Sequence, residues 1–171
     1  MRTLTLITYI FPASLLSIPI FVLLLSYNLL DTDIGLTLAL TALVTPFSAW
    51  MAAEYFDKIP KEIEEAALVD GASYATIFIR ILLPISLPVI IALSVYCFMY
   101  SWNSYLYPLL IISNVKNFPL PIGMSSFLTA EDAPYNIFLA TSVLYAIPAI
   151  VVYLFFKKYL VSGLFRGAVK A

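Results

Sequence analysis

The chain has 171 residues and a formal net charge of −1; 63% of its side chains are hydrophobic, 11% are charged and none is histidine. That make-up lies far outside the soluble globular range and points to an integral membrane protein. It also argues against a nucleic-acid partner, since no basic run or aromatic-basic interleaving is present.

In chain order, the first uncharged stretch predicts a span near 4–28. It is longer than the roughly 7–15 residues of a signal-peptide apolar core, and no small-residue cleavage site follows it. A second span is expected near 34–56, followed by a polar interruption at 57–83. The next uncharged run, 81–115, is too long for one crossing and too short for two with a loop. Pro84, Pro88 and Pro108 mark its turns and place a third span near 85–107, with Tyr100, Trp102, Tyr105 and Tyr107 as an aromatic belt at its far end. Residues 108–134 then form a loop, 135–156 a fourth span and 157–171 a tail. The expected fold is all-α, a single transmembrane domain of about four helices with a short helix in the 57–83 loop, since a helical span needs about 20 apolar residues.

Cations set the orientation, because short cytoplasmic loops carry the excess of Lys and Arg. Arg2, then Lys58, Lys61 and Arg80, then Lys157, Lys158, Arg166 and Lys170 fall on one side, and Lys116 falls on the other with Asp31, Asp33, Glu131 and Asp132. Both termini and the 57–83 loop are therefore expected in the cytoplasm, with 108–134 outside it.

Catalysis finds few tools here. Carboxylates and cations are missing from mid-membrane positions, where they are retained for ion relays. Ser/His/Asp chemistry lacks its base, no cysteine pair or acidic cluster suggests a metal, and no G-x-x-x-x-G-K-[ST] loop exists to bind ATP. The lone Cys97 reads as a small buried apolar side chain. No cofactor is expected on this chain, and energy for transport would come from another polypeptide. Pro12, Pro19, Pro46, Pro88 and Pro148 interrupt the spans and free carbonyls for neighbours to satisfy.

Within the loop, the run from Ile59 to Gly71 reads as a short amphipathic helix, with Pro60 at its first turn and acids near its positive end. Ile59, Ile63, Ala66 and Ala67 fall on one apolar face, Glu62 and Glu65 share a neighbouring one, and Gly71 stops the helix by taking positive φ. About three turns are marginal alone in water, so a partner surface is expected. Glu62, Glu64, Glu65 and Asp70 make anionic lipid a poor partner, which favours a protein. From Ala72 to Leu83 a second helix is expected, bent into the membrane by Pro84 and Pro88.

These residues resemble the cytoplasmic signature of ABC-importer permeases, E-A-A, three residues, G, nine residues, I-x-L-P, carried here by Glu65-Ala66-Ala67, Gly71, Ile81, Leu83 and Pro84. Ile59-Pro60-Lys61-Glu62, Asp70-Gly71-Ala72-Ser73, Trp102-Asn103, Pro119 to Gly123, Gly163-Leu164 and Gly167 to Lys170 are similar to the maltose-type, carbohydrate-importing branch. The resemblance implies a multi-pass subunit of the cell membrane that works with an ATPase dimer carrying ATP and magnesium, a second permease and an extracytoplasmic sugar-binding protein. It further implies that the helix around Glu65 inserts into the ATPase, where Glu65 meets a basic residue, with Glu62, Ala66, Ala67, Asp70 and Gly71 completing the coupling element. The 113–136 loop would face the binding protein, and the 163–171 tail the ATPases. Trp102 and Asn103 are either an interface anchor or contacts on the transport pathway. Two departures stand out. The branch usually has six spans and this chain matches from the third, so two N-terminal spans are expected to be missing; and Ser104 replaces the acid that commonly follows Trp-Asn. Competing expectations are an ATP-independent channel or secondary carrier, an ABC permease for a non-sugar solute, and a membrane scaffold with no transport role.

Overall fold

A computed structural model describes residues 10–129 and 135–165, and every regular element among them is helical. Helix α1, Ala13–Ser26, starts directly after Pro12, whose ring fixes φ at the entry. Its 14 residues reach only about 21 Å, and the upstream end of the span expected at 4–28 lies outside the described residues. A tight turn follows in which Asn28 and Asp31 adopt φ of 54° and 56°, the left-handed region that these two side chains tolerate best after glycine. Thr32 then caps helix α2, Asp33–Phe56: its hydroxyl accepts from Gly35 N at 3.0 Å and donates to Leu29 O at 2.7 Å. A Cβ on Gly35 would stand 2.0 Å from Leu29 O, so only glycine lets the helix start this close to the turn.

Helix α2, with 24 residues, and the 25-residue part Tyr135–Tyr159 of the last helix are each long and apolar enough to cross a membrane. The third crossing differs from the single span expected at 85–107. α4, Tyr74–Ile85, and α5, Leu87–Trp102, are together long and apolar enough to cross but meet at 67°, and the separate short helix α6, Leu106–Ile111, follows a second break. The chemistry of the second break is local. Asn103 ends α5 by donating both its backbone N and its Nδ2 to Met99 O, at 3.1 and 2.7 Å, and Pro108 prevents a continuous helix because its ring clashes with the carbonyl four residues earlier, that of Ser104.

Helix α6 lies across the start of the segment 108–134 that was expected to be a loop. The run Leu106–Ile112 carries no charge, and it wedges between α1 and α2. Tyr107, Ile111 and Ile112 are buried against Leu24 and Ala39, with Leu29, Leu36 and Phe118 around them. Tyr107 donates from its hydroxyl to Ala13 O at 2.7 Å. The aromatic belt expected at the end of the span is dispersed: Tyr107 lies in this core, and Trp102 packs on the last helix. Farther along α5, the Tyr96 ring lies 4.5 Å from that of Phe47 on α2.

Between the breaks and the last crossing lie a 3-10 turn, Val115–Asn117, and α7, Leu120–Thr129. The final helix α8, Tyr135–Phe165, has 31 residues and packs chiefly on α5. It runs past the expected boundary at 156, because the next glycine comes only at Gly163 and no proline follows Pro148; the tail expected from 157 is therefore helical to Phe165. Residues 166–171, including the whole Gly167 to Lys170 segment, lie outside the described residues.

The end of α6 is tied to the α1–α2 turn. Asp31 N donates to Ile111 O at 2.8 Å, and the Asp31 carboxylate accepts from Ser113 N at 2.9 Å and Asn114 N at 3.0 Å. The amides of Asn114 first, then Ser113, hold this carboxyl below its ordinary value of 3.8. A lowered folded-state pKa contributes stability above the unfolded value and loses it as pH falls through the folded one. Asp31→Asn is therefore expected to lower the melting temperature in detergent at pH 7, with the gap from wild type closing only below pH 3.8. An unchanged melting temperature at pH 7 would show that the clasp adds nothing.

Candidate functional site

The loop helix α3 spans Lys61–Val69, with Pro60 just before it rather than inside its first turn. Glu62 and Glu64 stand in that first turn, where the partial positive charge of the helix end favours them. Its C-terminus closes with two bonds that fix the exit of the chain: Gly71 N donates to Leu68 O and Ala72 N to Ala67 O, each at 3.0 Å. This pattern requires a left-handed residue at Gly71, which has φ of 80°. A Cβ at Gly71 would have no atom within 4 Å, so conformation and not crowding selects glycine. Ser73 follows as the cap of α4, accepting from Thr76 N at 3.3 Å. Two capped helices thus meet through a turn only a few residues long, which makes the loop a shaped element.

Its surface divides differently from the predicted apolar face. Ile59 and Ile63 are half-buried and Ala67 is buried, so these three hold the helix to the rest of the chain. Ala66 is exposed. It joins Glu62, Glu65 and Val69 on one outward stripe at the i, i+3, i+4, i+7 spacing of a single helix face. Val69 is 88% exposed, and sequence reasoning passed over it although its spacing from Glu65 and Ala66 carried the signal. Among the described residues neither Glu62 nor Glu65 pairs with a cation, and Asp70 stands exposed at the C-cap. The stripe can therefore offer two carboxylates around a small apolar patch to a partner with a basic, tightly fitting groove.

Trp102 and Asn103 sit away from this loop, at the break in the third crossing. The Trp102 ring stacks on Tyr145 at 5.7 Å and 12°, and Trp102 Nε1 donates to Tyr145 O at 3.2 Å. In return the Tyr145 hydroxyl lies 2.7 Å from Asn103 Oδ1 and 3.3 Å from Trp102 O, to which it can donate. Tyr145 is near the middle of the apolar stretch Tyr135–Tyr159, so this clasp lies inside the membrane-spanning region. It fastens α5 to α8 where α5 ends. No feature of the sequence near position 145 marks it as the partner of residues more than forty positions away.

Beside the break lies a cavity of about 520 Å³ between α2 and α5, lined in part by Thr37, Thr41, Thr45, Ser48, Cys97 and Ser101. Thr37 and Thr45 donate back to Asp33 O and Thr41 O, which satisfies their protons within the helix and leaves oxygen lone pairs as acceptors.

A family model described as "Binding-protein-dependent transport system inner membrane component" matches residues 1–166. The chain is similar to the inner membrane ABC transporter permease protein YcjP of Escherichia coli, with 35% identity over 95% of this chain and 58% of that protein. It is similar to the arabinooligosaccharides transport system permease protein AraQ of Halalkalibacterium halodurans, with 34% identity over 98% of this chain and 59% of the relative. The trehalose/maltose transport system permease protein MalG of Thermococcus litoralis is 34% identical over 73% of this chain and 45% of its own length. The chain thus spans less than three fifths of the length of these relatives.

Two substitutions separate the contributions described above. Gly71→Ala puts a side chain at left-handed φ and should destabilise the turn by about 1–2 kcal/mol, read as at least roughly fivefold faster hydrogen exchange at the Ala72 amide; unchanged exchange would mean that the turn is not held by this conformation. Tyr145→Phe keeps the stacked ring and removes only the hydroxyl, so a lower melting temperature with unchanged Trp fluorescence maximum is expected, and an unchanged melting temperature would assign the clasp to stacking alone.

Proposed function

We propose, from the premise that the chain belongs to the family of binding-protein-dependent transport system inner membrane components, that it forms part of the membrane pathway of an ATP-driven sugar importer and receives the motion of a separate ATPase through α3. The observation that carries this reading is the loop itself. Its glycine-closed, capped helix presents Glu62, Glu65, Ala66 and Val69 outward without an internal partner for either carboxylate among the described residues. An exposed, marginally short helix of fixed shape is suited to insertion in a groove on another protein.

In this arrangement the ends carrying Lys58, Lys61, Lys157 and Lys158 face the cytoplasm, following the cation bias. The clasp of Asp31 with Ser113 and Asn114 then lies on the outer face, where a binding protein would deliver substrate. ATP and magnesium belong to the ATPase pair, and a second permease completes the pathway. Sugar as the substrate class draws on the names of the relatives, which carry arabinooligosaccharides and trehalose/maltose. The open, mainly apolar groove between α2 and α5, lined by Leu40, Val44 and Ala49 as well as by Thr37, Thr41, Thr45, Ser48 and Ser101, has a few hydroxyl acceptors that a polyhydroxylated solute could use.

Glu65→Lys tests the reading. Breaking one partner of a buried interfacial charge pair costs about 2–5 kcal/mol, so the variant should reach the membrane and yet lose its ATPase on purification, with uptake of labelled oligosaccharide abolished. A Glu65→Lys complex that keeps its ATPase and its uptake would exclude docking through this residue. Uptake that survives removal of the ATPase would favour an ATP-independent channel or carrier instead.

A further inference from the structure

The bend between α4 and α5 combines several features that the coupling reading leaves unused. The two helices meet at 67°, just after a π-helical turn, Phe78–Leu82, a distortion that recurs at functional sites. Pro84 and Pro88 have no amide hydrogen to give to the carbonyls four residues earlier, and Pro84 O instead accepts a backbone N–H at the end of its short turn. Two side chains occupy the bend. Tyr55, in the last turn of α2, donates from its hydroxyl to Ile85 O at 2.8 Å. Ser86, at the junction, is 0% exposed, and its Oγ has no hydrogen-bond partner among the described residues. A buried hydroxyl without a partner destabilises the conformation that holds it. Another conformation in which Ser86 is bonded relieves that penalty.

We propose that Ser86 is a hinge and Tyr55 its latch, together transmitting movement of α3 into the third crossing; this rests on the reading of 57–83 as a coupling loop. Tyr55 stands one residue before the end of α2, where the loop begins, and Ile85 stands where the loop ends. The bond between them staples the loop at its base, so displacement of α3 is delivered to the bend and not absorbed in slack chain. Tyr55 is a positioning residue, acting through the Ile85 carbonyl without touching substrate. The unbonded Ser86 oxygen keeps the bent state from being so stable that it never opens.

The test uses the complete importer in lipid nanodiscs, assayed for ATP hydrolysis with and without binding protein and for sugar uptake. Tyr55→Phe should assemble normally, hydrolyse ATP at least about threefold faster without binding protein, and move less sugar per ATP, since losing one hydrogen bond is an effect of that order. Ser86→Ala removes the unpaired oxygen, so it should stabilise the bent state, raise the melting temperature and lower stimulated hydrolysis about fivefold. Assembled variants that both keep the wild-type ratio of uptake to hydrolysis would overturn the proposal, as would variants that merely reduce assembly with that ratio unchanged. A wild-type chain that binds no ATPase overturns the coupling reading as well, which is distinguishable from an assembled complex insensitive to both substitutions.

Discussion

Broken helices leave carbonyls that need donors from elsewhere, and in this chain three tyrosine hydroxyls bond carbonyls on distant elements. Tyr55 bonds Ile85 O at the first break of the third crossing, and Tyr145 reaches Trp102 O and Asn103 Oδ1 at the second. Tyr107 fastens the returning segment to Ala13 O at the entry of α1. Each bond joins elements at least thirty residues apart. These polar contacts fix which elements lie together, while many of the large apolar side chains stay exposed on the surface. Lipid covers such a surface as readily as protein does, so apolar area alone gives little drive to pair one helix with another.

Composition and charge spacing were enough to read an all-helical membrane chain, and the long apolar helices α2 and α8 lie where two of the spans were expected. Gly71 was legible because a stop after a short amphipathic run demands a residue at positive φ, and the structure shows it at 80°. The break at Asn103 escaped because hydropathy is continuous through Leu106–Ile112; only Pro108 carried a local signal, and it was read as a turn at the membrane edge. Tyr145 and Tyr55 were illegible for a different reason. Their partners are fixed by which helices lie side by side, and periodicity within one helix holds no information about that.

The same limit explains the loop helix. Periodicity grouped Ala66 with Ile63 and Ala67, yet the short helix turns Ala66 outward beside Glu62, Glu65 and Val69. Ala66 borders both stripes on so small a helix, and tertiary contact decides which is covered. The exposed one pairs small side chains with carboxylates, and the turn that orients it is closed by backbone bonds instead of flexible side chains. Shape and charge on this stripe are thus set before any partner arrives, a preorganisation that reduces the ordering entropy lost on binding.

Coupling through α3 is tested most directly by replacing the highly exposed Val69 with a photo-crosslinking phenylalanine analogue, irradiating native membranes and identifying the adduct by mass spectrometry. The expected adduct joins this chain to a polypeptide that carries a G-x-x-x-x-G-K-[ST] nucleotide-binding loop, at a site lining a basic groove. Crosslinking confined to lipid, with no ATPase adduct in membranes that contain the assembled importer, would contradict coupling through this helix.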